Sequence, residues 1–335
     1  MTASGAIGHA CRSLPGRVQS RAMTDLGIII VNWNTRDYLR RCLTSVFASE
    51  GEFSYRVVVV DNGSGDGSAE MVAEAFPQVE LISGHGNVGY PKGNNLGLRA
   101  LGYADEPGCT SPDAPRYALL LNPDTELPPR ALADMIAYMD AHPEVGVAGP
   151  KLVLPDGSLD LACRRSIPTV EVSFWHVTKM GKLFPKSRRF ARYNLTFLDE
   201  NEEAEVGSVV GAFMMLRREA IDQTGLLDES FFMYGEDLDW CKRIGEAGWK
   251  VMYYPGVEVL HVKRAASRQS KRAKLEFVRA FMIFYRKHYR RETALLPHLA
   301  VMLGIALWGG PKLWPEVFRG GSAGALEDQG RLSSV

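Results

Sequence analysis

Three stretches combine residue types and spacing that can do chemistry. In the first, Leu119-Leu120-Leu121 runs straight into Asn122-Pro123-Asp124. Proline cannot donate to a ladder, so a strand ends there and delivers an amide and a carboxylate to its carboxyl end. A carboxylate in that place suits a hard divalent cation, which takes oxygen ligands. Asn-Pro-Asp is equally good turn chemistry. In the second, Phe231-Phe232-Met233-Tyr234-Gly235 leads into Glu236, Asp237 and Asp239. An aromatic setting desolvates a carboxyl group and raises its pKa towards that of a useful general base. Acids at a helix start also simply answer the helix dipole. The third is His261, which closes the apolar run Val257–Leu260 and is either a structural histidine or a ligand.

These groups need elements that hold them. Leu26–Val31, Val57–Val60, Val79–Ile82 and Tyr117–Leu121 are short, continuous apolar runs, as strands buried on both faces would be. Between them, Leu39, Cys42, Leu43 and Val46 repeat at helical spacing over 36–48, with Thr35 as the expected N-cap. Helices are also expected over 68–76 and 94–101, and from Pro129 at its first position onward, with Leu132, Met135, Ile136 and Met139 on one face. Residues 104–115 read as a surface loop. Strand–helix units in series predict an α/β fold, a parallel sheet with helices on both faces. Each strand end is polar or glycine-bearing: Asn32 and Asn34, Asp61 and Asn62, Asn87 and Gly89, Asn122 and Asp124. Ligands bind at that edge of such sheets. Neither a dinucleotide nor a P-loop glycine signature is present. Asp66 within Gly63–Gly67 would repel phosphate, so that loop is expected to be a turn and helix cap.

Further along, residues 150–205 lose periodicity and gain aromatic residues, with basic residues clustered over Lys179–Arg192. This is a candidate acceptor region or an irregular segment with its own small core. A helix is expected from Glu236 to Gly245 or Gly248, followed by two strands, Trp249–Tyr254 and Val257–Leu260.

Composition bounds the alternatives. The 335 residues carry 39 basic and 39 acidic side chains, so no global charge steers the chain to nucleic acid. Five cysteines without CxxC spacing suggest free thiols in a reducing cytoplasm rather than a zinc site. Residues 1–22 lack the apolar core of a secretory signal and are expected to be a flexible leader. Lys263–Lys274 holds six basic residues and no acid. Ala294–Trp308 is apolar but only 15 residues long and is broken by Pro297 and His298, short of the roughly 20 needed to cross a bilayer. The tail from 263 to 335 is therefore expected to be basic and helical, with 294–308 touching a membrane surface or packed as an amphipathic helix on the domain.

Taken together, IIIVNWN, VVVVDNGSGDGS, GNVGYPKGNN, LLLNPD, GAFMMLRREA, FFMYGEDLDWCKRIGEAGW and VLHV resemble the inverting family 2 glycosyltransferases of GT-A fold, nearest to a rhamnosyltransferase branch. The resemblance covers residues 26–262. It implies a Rossmann-like GT-A domain over 23–262 with a mostly parallel central sheet. The nucleotide-sugar half would be 23–150 and the acceptor half 151–262, with a C-terminal helical tail beyond. It further implies a nucleotide-sugar donor, best dTDP-L-rhamnose, held by Asn32, Asn34, Asp61, Asn87, Gly89, Lys92, Asn94, Asn122 and Asp124. Asp61 would accept the imide N–H of the base. Mg²⁺ or Mn²⁺ would sit on Asp124 and His261. Asp237 would be the general base, with Glu236 positioning the acceptor or tuning it. Asn122 departs from a full Asp-x-Asp pattern. The acceptor implied is a glycan or a polyprenyl-diphosphate-linked glycan in cell-wall or surface polysaccharide synthesis, reached by a cytoplasmic enzyme peripheral to the inner face of the cell membrane.

Two other classes compete. A nucleotidyltransferase would carry a Gly-rich basic loop after the first strand, where this chain has Asn32-Trp33-Asn34. A non-catalytic sugar- or lipid-binding module would not need Asp124, Asp237 and His261 together.

Overall fold

A computed structural model describes residues 23–263 and 273–318. The 1–22 leader, most of the basic run after Lys263, and residues 319–335 lie outside the described residues. In chain order the elements begin with β1 (Leu26–Asn32), α1 (Arg36–Phe47), β2 (Tyr55–Asp61), α2 (Ser68–Ala75), β3 (Glu80–Ile82) and α3 (Tyr90–Ala100). Next come β4 (Tyr117–Leu121), β5 (Thr125–Glu126), α4 (Ala131–Ala141), β6 (Val145–Val153), α5 (Val170–Val177) and α6 (Met180–Leu183). They are followed by β7 (Ala204–Glu205), β8 (Phe213–Arg217), α7 (Arg218–Thr224), α8 (Glu236–Glu246) and β9 (Lys250–His261). The C-terminal helices are α9 (Ala273–His288), α10 (Leu295–Gly309) and α11 (Trp314–Phe318).

The strands form one sheet in the order β3-β2-β1-β4-β8-β6-β9-β5, with β7 on β9. The expected α/β class holds, and β3-β2-β1-β4 is parallel throughout. β1, β4 and the last five residues of β2 are buried, which is why they read as unbroken apolar runs. The remainder is mixed: β8 runs antiparallel to both β4 and β6, whereas β6 and β9 pair in parallel. One main core joins sheet and helices, with smaller clusters around α9 and α10.

Several local expectations need correction. The two strands at 249–254 and 257–260 are one strand, β9, whose pairing with β6 shifts register between Pro150 and Lys151. Pro255 and Gly256 fall where the ladder slips, and a bulge tolerates both. Thr35 is the N-cap residue of α1 but makes no side-chain cap hydrogen bond; its hydroxyl donates to Asn32 Oδ1 at 2.6 Å. Pro129 precedes the cap of α4 instead of opening the helix. Cys42, Cys163 and Cys241 are free and buried, but Cys109 is disulfide-bonded. The aperiodic 150–205 segment does contain short helices, α5 and α6.

α8 joins the main core to the C-terminal helices. Its apolar Leu238, Trp240, Cys241 and Ile244 are buried, and Asp239 is wholly buried. Asp239 accepts from Arg243 Nε at 2.9 Å within the helix and meets Lys287 and His288 of α9 at 2.8 and 2.7 Å. Burial alone would raise its pKa, but His288, Arg243 and Lys287 outweigh it and hold the group below its usual 3.8. Removing one partner of such a buried cluster strands the others. Asp239→Ala is therefore expected to destabilise the fold by about 3 kcal/mol or more, read as a lowered urea midpoint. Because the folded pKa is depressed, the wild-type stabilisation is full above about pH 4 and is lost as pH falls further. The wild-type and Asp239→Ala midpoints should thus converge in acid.

Candidate active site

The ends of β1 and β2 meet side by side, Asn32 opposite Asp61. Asn32 Nδ2 donates to Asp61 Oδ1 at 3.0 Å and to Ser64 Oγ at 3.1 Å. The Ser64 amide donates to Asp61 Oδ2 at 2.9 Å. Asn34 sits at φ 52°, in the left-handed region that Asn tolerates. Its amide donates to Ser64 Oγ and its Oδ1 accepts from the Gly65 amide. Asp66 accepts from the Arg36 amide at 2.9 Å and from the Ser68 amide and hydroxyl. It thus serves the starts of both α1 and α2, the turn-and-cap role expected of it.

The glycine-rich loop leads to α3. Asn87 Oδ1 accepts from the Gly89 amide at 3.0 Å, and Asn62 Nδ2 donates to the Gly89 carbonyl at 3.0 Å. Gly89 has φ 89°, and a Cβ there would stand 2.6 Å from the Phe232 carbonyl oxygen. That same carbonyl accepts from the Tyr90 amide at 2.8 Å. The loop is thereby docked on the aromatic run that precedes α8. Lys92 is exposed on the first turn of α3. Asn94 is buried, donates to the Tyr90 carbonyl, and its Oδ1 has no partner among the described residues.

Asp124 and His261 come from different strand ends and meet where β5 pairs with β9, Thr125 opposite His261. His261 Nε2 lies 3.4 Å from Asp124 Oδ1. Its Nδ1 is bound by Asp160 Oδ2 at 2.9 Å. Asp160 is fully buried, caps the short 3₁₀ turn Leu161–Cys163, and also takes Lys263 Nζ. Burial would lower the His261 pKa, but the two carboxylates outweigh it and bring it to about 9. No group of three or more His, Cys, Asp or Glu suited to a metal occurs among the described residues. A cation here would take one carboxylate and one imidazole from the protein. A divalent ion that keeps its other positions for phosphate oxygens and water accepts such a set. Asp160 behind the imidazole fixes which nitrogen is offered, the arrangement that metal-ligating histidines use. Asn122 is half-buried; its backbone carbonyl accepts from Thr125 Oγ1 at 2.8 Å and its amide donates to Ala212 O.

Glu236 and Asp237 open α8 after Tyr234 at φ 70° and Gly235 at φ 81°. A tyrosine in the left-handed region is strained backbone, of the kind found at functional sites. Both acids are buried. Asp237 Oδ2 takes Arg165 Nη2 at 2.7 Å and the Gly211 amide at 3.4 Å. Arg165 is buried too and also donates to Val209 O and Ser208 Oγ. Glu236 has no such support: its Oε2 has no hydrogen-bond partner among the described residues. Burial first, then the Asp237 charge, push it up to about 8. Glu236 is thus a buried carboxyl group driven towards neutrality.

Tyr90 links the two acidic centres. Its hydroxyl donates to Gly211 O at 2.8 Å. Burial, then the charges of Glu236 and Asp237 and, more weakly, Asp124 raise its phenol well above the usual range. The strand-end polar residues, the Asp124–His261 pair and the α8 pair thus line one edge of the sheet. Asp239, on the same helix, faces α9 instead. Sequence reasoning missed Asp160, Arg165, Ser64 and Tyr90. Only Ser64 lies in a recognisable turn; the partners of Asp160 and Arg165 are 101 and 72 residues away.

Comparison with known proteins bears on this arrangement. The family profile described as "Glycosyltransferase like family 2" matches residues 24–279. The chain is 32% identical over 244 residues to the N-acetylglucosaminyl-diphospho-decaprenol L-rhamnosyltransferase of Mycobacterium tuberculosis, covering 72% of this chain and 77% of that one. It is 27% identical over 240 residues to the rhamnosyltransferase WbbL of Escherichia coli, covering 70% and 82%. Among solved structures, GalNAc-T7 with UDP, GalNAc and Mn²⁺ superposes with a TM-score of 0.55 at 15% identity. That match covers 80% of this chain, which spans about half (48%) of the other. The likeness is one of fold, and it agrees with the expected GT-A architecture.

Gly89→Ala tests the junction between loop and α8. The substitution meets both a positive φ and the Phe232 carbonyl, so it should destabilise by at least about 1 kcal/mol, measured by urea unfolding. An unchanged midpoint would mean that the loop is not seated on the aromatic run.

Proposed function

The chain belongs to glycosyltransferase family 2, and from that premise we propose an inverting, metal-dependent transferase that moves L-rhamnose from dTDP-L-rhamnose to a hydroxyl of a glycan or polyprenyl-diphosphate-linked acceptor. The observation that carries the reading is the buried Glu236–Asp237 pair beside Tyr90, with Asp124 and His261 on the same edge. The names of the mycobacterial and Escherichia coli relatives support rhamnose as the sugar. The mycobacterial name supports a lipid-linked acceptor. A peripheral place at the inner face of the membrane fits such an acceptor, and no helix among the described residues is long and apolar enough to cross a membrane.

In the proposed reaction the acceptor oxygen bonds to the anomeric carbon as the bond from that carbon to the nucleotide diphosphate breaks. The configuration inverts, and the hydroxyl proton passes to a carboxylate of α8. Asp61 and Asn32 receive the base at the ends of β1 and β2. Asn34, Asn87, Gly89, Lys92, Asn94 and Asn122 surround the ribose, diphosphate and sugar. Asp124 and His261 would hold Mg²⁺ or Mn²⁺, which when bound neutralises charge on the departing diphosphate. Mn²⁺ in the GalNAc-T7 structure supports this.

The base is assigned to Asp237, which Arg165 and Gly211 hold in one orientation. One observation favours Glu236 instead: its unpartnered oxygen and raised pKa. An oxygen already given to a guanidinium is a poorer acceptor for a further proton.

Two measurements test the proposal. Asp124→Ala should lose metal-dependent binding of dTDP-L-rhamnose in calorimetry with Mn²⁺. Wild-type affinity and metal dependence in that variant, or clear preference for a UDP-hexose in competition, would reject the corresponding assignment. Asp237→Asn should lower kcat by about 10²–10⁴-fold with donor affinity nearly unchanged, and Glu236→Gln should act more mildly, partly through acceptor KM. If Glu236 is the base, the order reverses. A base works deprotonated, so kcat/KM would then rise with pH through about 8, and Glu236→Gln would remove that limb.

A further inference from the structure

α10 is built against the usual rule for a helix on a water-soluble surface. From Leu295 to Gly309 it contains no Asp, Glu, Lys or Arg. It buries only Met302, Ile305 and Ala306. Leu296, Leu299, Leu303 and Leu307 recur at helical spacing and fall on one side, and they are 79%, 54%, 57% and 74% exposed. Trp314 and Phe318 of α11 add exposed aromatic area. A soluble surface scatters such residues singly; a contiguous run marks a contact site. The charges lie at the ends of this element, where Arg290, Arg291 and Lys312 are exposed, with Glu292 the one exposed acid. An uncharged apolar stripe flanked by cations is the pattern of a helix lying in the plane of a membrane interface.

A second element repeats the pattern. Phe174 of α5, Leu183 of α6 and Phe184 are exposed, and the same segment carries exposed Lys179, Lys182, Lys186 and Arg188. α10 and the lead into α5 both pack on α9. Ile167, just before α5, packs with Phe231, Leu238, Ala280 and Phe284, while Trp308 of α10 meets Phe277 and Phe281 edge-on. Phe277 in turn meets Tyr234, two residues before Glu236.

We propose that the leucine face of α10, assisted by the basic and aromatic α5–α6 segment, is a docking surface for an anionic lipid bilayer, with α10 lying in the interface and not crossing it. This deepens the acceptor reading above, since it sets the α8 carboxylates close to where a lipid-linked acceptor would lie. Charge complementarity selects lipid as the occupant: a second copy of the chain would bring like charges, Arg290, Arg291 and Lys312, to the same seam.

The test is flotation of the full-length chain with phosphatidylcholine vesicles, with and without phosphatidylglycerol, at low and high salt. Binding should require the anionic lipid and weaken with salt. Leu299→Glu with Leu303→Glu should lower vesicle affinity by more than about tenfold. Arg290→Glu with Arg291→Glu should lower it by about tenfold or more, on anionic vesicles alone. All four positions are exposed, and a melting curve beside each assay checks folding. Equal flotation of wild type and both variants overturns the proposal. So does a leucine variant that leaves flotation intact but converts a dimer to a monomer in light scattering, which would assign the face to a second copy. Binding is read without donor or acceptor, so its failure would leave the transfer reaction standing, and the failure of that reaction would leave vesicle binding readable.

Discussion

The buried ion pair between Arg165 and Asp237 is the interaction on which the site depends. It joins the irregular segment after β6 to the first turn of α8. Burying two charges costs several kcal/mol per ion, on the order repaid only when the remaining hydrogen-bonding groups are also met. Here the same Nη2 of Arg165 also reaches Val209 O and Ser208 Oγ, and the Gly211 amide reaches the carboxylate, while Arg165 Nε has no partner among the described residues. The segment that lacks periodicity therefore has a defined place without a large apolar face of its own. The same pair gives the neighbouring carboxyl its character. With Arg165 hydrogen-bonded to Asp237, Glu236 is left buried beside a negative charge and makes no ion pair among the described residues.

α8 separates its acids by helical geometry alone. Asp237 and Asp239 are two residues apart, about 200° around the axis. One turns to the sheet edge and Arg165, and the other to Lys287 and His288 of α9. A run that looks like three equivalent carboxylates is a buried pair facing the sheet edge on one side and an anchor to α9 on the other. The anchor also fixes α9, against which α10 and the lead into α5 pack.

Much of the parallel half was legible because β1, β2 and β4 are buried on both faces, and their apolar runs allow one reading. The strand ends followed from where those runs stop. The antiparallel β8 was not legible in orientation, since its pairing with β4 joins residues about a hundred apart and leaves no local trace. β9 was split in two at Pro255-Gly256 because a bulge and a turn use the same residues. Asp124 and His261 could be found as types at strand ends. Asp160 and Arg165 lie in the aperiodic stretch, and their importance comes only from distant partners. Thr35 has the chemistry of a cap, but a side chain one turn upstream competes for its hydroxyl and takes it.

That lost cap has a consequence for the neighbouring loop. With the Thr35 hydroxyl spent on Asn32, the first amide of α1 is met by Asp66, whose other oxygen holds the start of α2. One carboxylate thus clasps the beginnings of two helices, and Asn34 and Ser64 interlock the turns between them. Neither strand–helix unit can fray or tilt without breaking the other's bonds. The edge formed by β1 and β2 behaves as a single stiff ledge, its ordering entropy already spent during folding. A ligand seated there meets a finished surface and is selected by its fit to that surface.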